Sequence, residues 1–254
     1  MQLKNSYYYF ISAIPPETCN RIIELGTEKI AAEKAAGNSV EAYTFGEMQK
    51  GARGSEAAPQ GELSRQAMIK EKGADQQYYV RDSEVTWLND QWLYDLLHPY
   101  IREANAQAGW NWDWDYSESF QFTVYNPGGF YSWHKDGASD TIGAYKRYIH
   151  GVTPVPLKPD GKLPEGYVTD PAMVGKIRKI SMTLNLNEPG AYEGGNLKFD
   201  FGFHADGEQF HECEEIRPQG SVIIFPSFVD HTVTPITKGT RYSLVLWTLG
   251  KPFR

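Results

Sequence analysis

The chain has 254 residues, with 25 Lys and Arg against 32 Asp and Glu, a formal net charge of −7, and 41% hydrophobic residues. A chain of that length buries roughly 70% or more of its unfolded surface, so it needs neither disulfides nor a metal merely to fold. The acidic balance offers no cationic footprint for nucleic acid; two cysteines, Cys19 and Cys213, exclude a cysteine zinc cluster and a disulfide framework; and no apolar run has signal-peptide or membrane-spanning length, so the expectation is a cytoplasmic protein that binds neither nucleic acid nor membrane.

In chain order, residues 7–14 (YYYFISAI) predict a strand that ends at Pro15 and Pro16. From Glu17 to about Ala36, Ile22, Ile23, Leu25, Ile30 and Ala31 recur at helical spacing, with Gly26 against the pattern and Gly37 as a stop. Residues 46–77 are rich in Gly, Ala, Glu, Gln and Lys and predict a mobile loop or weak helix. Trp87, Leu88, Trp92, Leu96, Leu97, Tyr100 and Ile101 step by three and four, which predicts one or two amphipathic helices from about Asn89 to Gln107. WNWDWDY alternates apolar and acidic residues and predicts a strand with one buried face.

Beyond it, SFQFTVY, RKISMTLNLN, GNLKFDF, SVIIFP and RYSLVLWTL are short β-branched or aromatic runs between Gly, Pro and Asn, the texture of an antiparallel sandwich or jelly roll. Prolines 154, 156, 159, 164 and 171 mark residues 145–176 as an excursion from that core and a candidate lid. The expected organisation is one α+β, mainly β domain over 1–254, with mainly helical support in 1–110 and the β core in 111–254.

Chemistry concentrates in YNPGGFYSWHKDG, where His134 and Asp136 stand two apart, so that in an extended segment both point to one face. His231 follows a buried-looking strand and a Pro-Ser turn. Two His and one Asp on one side of a metal suit non-haem Fe(II), whose remaining positions take a co-substrate and dioxygen; zinc accepts the same ligands. Ten residues on, Arg241 opens the strand RYSLVLW, whose inward residues would be Arg241, Ser243, Val245 and Trp247, and a guanidinium suits a bidentate grip on a carboxylate. His98, His150, His204 and His211 have no supporting pattern, and GGF and YEGG read as turn glycines rather than phosphate cradles.

The run Tyr125, Gly128, Tyr131, His134, Asp136, then YEGGNLKF, then GSVIIFPSFVDHTVTPITKGTRYSLVLW, with RDSEVTWL upstream, resembles the prolyl 4-hydroxylase-like, PKHD-type branch of the Fe(II) and 2-oxoglutarate dependent dioxygenases, over roughly Arg81 to Gly250. The resemblance implies a double-stranded β-helix in which His134, Asp136 and His231 hold Fe(II), Arg241 pairs with the distal carboxylate of 2-oxoglutarate, Tyr125 hydrogen-bonds that co-substrate, and Thr183 or Asn185 lines its pocket. It further implies dioxygen as co-substrate, ascorbate as a candidate reductant, and hydroxylation of an unactivated C–H bond. A prolyl residue in a peptide or protein is the first expectation for the substrate, and a free amino acid or other small molecule the alternative. A halogenating relative would lack the carboxylate ligand, and Asp136 is present. A non-catalytic β-sandwich binding protein is the rival of another class, and the sequence does not specify an oligomeric state.

Overall fold

The computed structural model describes residues 5–42, 44–46, 78–137, 143–157, 161, 163–164, 166–202 and 210–253. The loop predicted at 46–77 lies outside them except for Gly46. With strands numbered in chain order, the larger sheet runs β1 (Tyr8–Phe10), β14 (Val222–Pro226), β10 (Ile177–Asn185), β17 (Arg241–Gly250), β6 (Phe120–Tyr125), β4 (Glu84–Leu88), and β5 (Tyr116–Ser117) pairs with the end of β17. The smaller sheet runs β13 (Phe210–Glu212), β12 (Leu197–Asp200), β15 (Asp230–Val233), β7 (Phe130–His134), β3 (Tyr78–Asp82), β2 (Thr44–Gly46). Two short pairs complete the described strands: β11 (Tyr192–Gly194) with β16 (Ile236–Gly239), and β8 (Lys146–Arg147) with β9 (Tyr167–Val168), the latter parallel. This is the double-stranded β-helix.

The larger sheet is covered on both sides, and the period-two alternation of its strands sorts the residues by chemistry. Phe120, Phe122 and Val124 of β6, Leu244 and Leu246 of β17, Met182 and Leu184 of β10 and Ile224 of β14 belong to the main hydrophobic core. Two helices close that face. Helix α1 (Pro16–Ala35) buries Cys19, Ile22, Gly26 and Ile30, and α2 (Gln91–Gln107) buries Leu93, Leu97, Ile101 and Ala104. The alternate residues of the same strands, including Gln121, Tyr125, Thr183, Arg241, Ser243 and Trp247, face a cavity shared with the smaller sheet.

Three expectations are corrected. The first strand shrinks to Tyr8–Phe10, and Pro16 begins α1 instead of merely ending a strand, because proline's missing N–H is no loss in a first helical turn. Trp87 and Leu88 lie in β4, not in the helix whose spacing they share; Val85 and Thr86 favour extension, and α2 starts after Asp90. Residues 110–115 form no strand: Trp110 and Trp112 stack at 5.5 Å and are both buried in the main core. Beside their two helices, the first 110 residues supply β1 and β4 to one sheet and β2 and β3 to the other.

Gly26, unfavourable by helix propensity, is required by packing. A Cβ there would lie 2.4 Å from atoms of the Phe122 ring. Gly26→Ala is expected to destabilise the fold by about 1–3 kcal/mol even though alanine is the better helix former by about 1 kcal/mol; a thermal melt at or above the parent's would remove this account of the α1–β6 contact.

Candidate metal and co-substrate site

Strand β15 pairs with β7 so that His231 stands opposite His134, and β12 on its other side sets Phe199 opposite His231. Between His231–His134 and Val233–Tyr131 the ladder carries a bulge, the one residue Thr232 on β15 facing Ser132 and Trp133 on β7. The extra residue turns Tyr131 and His134 to the same side, and their rings stack at 3.4 Å. Asp136 follows the end of β7 in a bend, held by its backbone N–H donating to the Ser227 carbonyl at 2.9 Å. Its carboxylate oxygens lie 3.6 Å from Nε2 of His134 and 3.6 Å from Nε2 of His231. The three residues are buried, and their ligand atoms lie within 4.8 Å of one another.

Both imidazoles are oriented from behind. Nδ1 of His134 donates to the Ser132 carbonyl at 2.7 Å, and Nδ1 of His231 donates to the Val229 carbonyl at 3.0 Å. Each ring is thereby left with its Nε2 lone pair directed at Asp136, the arrangement a metal ligand requires. Burial, with His134 alongside, pushes the His231 imidazole down to about 4 against the pull of Asp136. Burial opposes ionisation of Asp136, but His231 and His134 outweigh it and hold the carboxyl below its usual range. The His231 imidazole is thus kept neutral and the Asp136 carboxyl ionised at neutral pH, and with His134 beside them the two-His, one-carboxylate set fits Fe(II).

Arg241 is opposite Tyr125 in the β17–β6 ladder and is 2% exposed. Its guanidinium lies over the Tyr125 ring at 5.5 Å, its Nη1 reaches Ser243 Oγ at 3.4 Å, and its buried Nε has no partner among the described residues. No acidic group pairs with it among the described residues. A buried cation without a counter-charge is costly, so this end of the cavity fits a carboxylate such as that of 2-oxoglutarate. Gly195 makes room for it: at φ +61, a Cβ there would sit 2.3 Å from Ile236 and 3.1 Å from Arg241 Cδ.

The sequence profile of the 2OG-Fe(II) oxygenase superfamily matches residues 120–249, which hold the triad and Arg241. The chain belongs to that superfamily. A PKHD-type hydroxylase of Thermosynechococcus vestitus is 39% identical over 87 residues, covering 32% of this chain and 36% of that protein; the chain spans about a third of the length of such curated relatives. Among solved structures, the viral collagen prolyl hydroxylase of Paramecium Bursaria Chlorella virus-1 superposes with a TM-score of 0.52 at 16% identity, over 97% of both chains. A Trichoplax adhaerens prolyl hydroxylase in complex with a hypoxia inducible factor peptide gives 0.52 at 12% identity, over 96% of this chain and 83% of that one. These likenesses are of fold.

Within this 2OG-Fe(II) oxygenase, Thr183, Tyr125, Tyr131 and all four expected inward residues of β17 line the cavity with the triad. Asn185 does not: it is fully buried, and its amide donates to the Arg217 carbonyl at 2.9 Å. Trp133 is on the opposite side of β7, its ring 4.6 Å from Phe210. His98 bonds Ser117 and His211 bonds Tyr7, away from the triad, whereas His204 lies outside the described residues. Lys238, exposed and paired with Glu193, does not compete with Arg241. Arg81 was missed: it is 7% exposed and lines the same cavity. Its only signal was the alternation of Arg81 with Ser83 in RDSEVTWL.

Replacing His134, Asp136 or His231 with Ala is expected to remove most metal affinity with the circular dichroism spectrum retained; parental iron stoichiometry in all three would refute the ligand set. Arg241→Met is expected to keep metal binding and weaken 2-oxoglutarate by roughly 10- to 150-fold, the loss of a charge-assisted contact. Acid should destabilise the metal-free protein. Between pH 6.5 and about 4 the unfolded protein holds a His231 proton that the folded protein refuses, so stability falls as pH drops through that window. Metal-free His231→Gln should melt with a flatter pH profile there, and an equal slope would count against the shift.

Proposed function

We propose that the protein is an Fe(II)- and 2-oxoglutarate-dependent dioxygenase that hydroxylates an unactivated C–H bond, with a prolyl residue in a peptide or protein as first substrate. The observation that carries this reading is a single cavity lined by His134, Asp136, His231 and Arg241. When bound, Fe(II) supplies the redox chemistry with dioxygen that amino-acid residues do not provide. The protein's part is geometry. The triad holds one side of the metal, Arg241 receives the distal carboxylate of the keto acid, and Tyr125 and Thr183 flank it. Trp247, Tyr131 and Val245 give apolar walls that suit a proline ring. The hydroxylase name of the curated relatives supports the reaction class, and the peptide held by the Trichoplax prolyl hydroxylase supports a prolyl substrate. The same reading takes the protein as one oxygenase domain acting in the cytoplasm, where the unpaired Cys19 and Cys213 fit a reducing compartment.

A free amino acid or other small molecule is the second reading, favoured by one observation: Arg81 adds to the cavity a cation beyond the one that 2-oxoglutarate would occupy. Iron-dependent consumption of 2-oxoglutarate is expected, stimulated by proline-containing peptides more than by free L-proline. Stimulation by L-proline above every peptide tried would transfer the proposal to the small-molecule reading, and no iron-dependent consumption at all would leave a non-catalytic binding protein.

A further inference from the structure

Arg81 is held as firmly as Arg241 and is as poorly neutralised. Its Nε donates to Ser83 Oγ at 2.8 Å, and its Nη2 donates to Gln121 Oε1 at 2.8 Å and Thr123 Oγ1 at 3.4 Å. All three partners are neutral, and no carboxylate pairs with the guanidinium among the described residues. Nη1 is left without a hydrogen bond to any described residue. The guanidinium lies over the Tyr131 ring at 4.7 Å, and that ring also stacks on the His134 imidazole at 3.4 Å. One aromatic ring therefore separates a buried, uncompensated cation from a candidate metal ligand. Arg178 shows the contrast: it makes two bonds to Glu118, at 2.6 and 2.7 Å, and needs no ligand.

A charge in such a place is stable only with a partner, and a cavity that opens on it lets the partner be a bound molecule. Arg241 lies opposite Tyr125 and is matched by the co-substrate, so Arg81 is left for the substrate. We infer that Arg81 receives a carboxylate of the substrate, placing the reacting C–H a few bonds from that charge. This rests on the dioxygenase reading with a peptide substrate and narrows that substrate to one with a carboxylate next to the reacting residue, either the free C-terminus of a peptide or a neighbouring Asp or Glu.

Calorimetry of the protein loaded with Mn(II) and saturated with 2-oxoglutarate under argon reads this without turnover and with Arg241 occupied. The probes are acetyl-Ala-Ala-Pro with a free C-terminal carboxylate, its carboxamide, and an amidated peptide with internal Pro followed by Asp or by Asn. The acid, the Pro-Asp peptide, or both should bind about tenfold or more tighter than the neutral counterpart, a difference in keeping with one charge-assisted hydrogen bond. The two arms tell a C-terminal carboxylate from that of a neighbouring acidic residue. Arg81→Gln should erase the preference and Arg81→Lys restore part of it, while 2-oxoglutarate affinity in Arg81→Gln falls far less than in Arg241→Met. Equal binding of charged and neutral probes by the parent overturns the inference, and that comparison needs no variant to fold. So does a preference that survives in Arg81→Gln, or a loss of 2-oxoglutarate affinity there equal to that of Arg241→Met, which would make Arg81 a co-substrate ligand. Failure of the dioxygenase reading has a separate signature, the absence of iron-dependent 2-oxoglutarate consumption by the parent.

Discussion

The pairing of His231 with His134 across β15 and β7 is the constraint on which the site depends. A slip of one residue in a strand sends every residue's Cβ to the opposite face, and here it would withdraw an imidazole from the cavity. The register is fixed from several directions. Phe199 opposes His231 from β12, Thr232 Oγ1 donates to the Tyr131 carbonyl at 2.7 Å, and the bulge admits one spacing of Tyr131 and His134 to the inner side. A second hydrophobic cluster, with Leu197, Phe199, Ile223, Phe225 and Val229, packs beside His231, whose ring meets Phe225 edge-on at 4.7 Å. Leu197 and Phe225 of that cluster also line the cavity, so the apolar anchor of the ladder adjoins the triad directly.

Apolar packing on one side of the larger sheet makes polar burial on the other tolerable. The cavity side gathers a carboxylate, two imidazoles and two guanidinia with no acid assigned to the latter, an arrangement that costs stability unless ligands complete it. The face packed on α1 and α2 compensates with an aromatic and aliphatic core whose members are almost wholly buried. The same strands supply both faces, so a substitution such as Gly26→Ala, on the far side of β6 from the cavity, perturbs the strand that carries Gln121 and Tyr125. Stability and site geometry are coupled through one backbone.

How far the sequence revealed this follows from the reach of each signal. The five β runs after residue 117 were legible because hydrophobic alternation and β-branching act locally. The triad and Arg241 were legible because the combination resembles a family; the expected extended H-x-D segment is not what joins His134 to Asp136, since β7 ends at His134 and a bend brings Asp136 round. Trp87 and Leu88 were misplaced since helical spacing in a short window also occurs in a buried strand. Tyr131's place beside His134 went unexplained, because a bulge leaves no mark in composition. Arg81 was invisible as a cavity residue: only the order of strands brings β3 beside β7, and that order is not a local property.

The proline-rich excursion, expected as a lid, is joined to the cavity wall at its root. At its base the Tyr145 N–H donates to the Lys176 carbonyl and the Gly175 N–H to the Tyr145 carbonyl, and β8 lies beside β9. Tyr145 Oη donates to Glu118 at 3.3 Å, Tyr116 Oη donates to Asp170 at 2.6 Å, and Lys176 pairs with Asp115 at 2.8 Å. Glu118 is the acid that grips Arg178, and the Arg178 guanidinium covers the Trp247 ring at 3.9 Å. Trp247 in turn lines the cavity, with its indole N–H buried and unpartnered. The excursion's base and the wall beside the triad therefore share one buried ion pair. A rigid-body opening at that base would strip Glu118 of a partner and disturb the face on which Trp247 rests, whereas a movement farther out along the excursion would leave both intact. The described root of the excursion is thus held by the same contacts that hold the cavity wall.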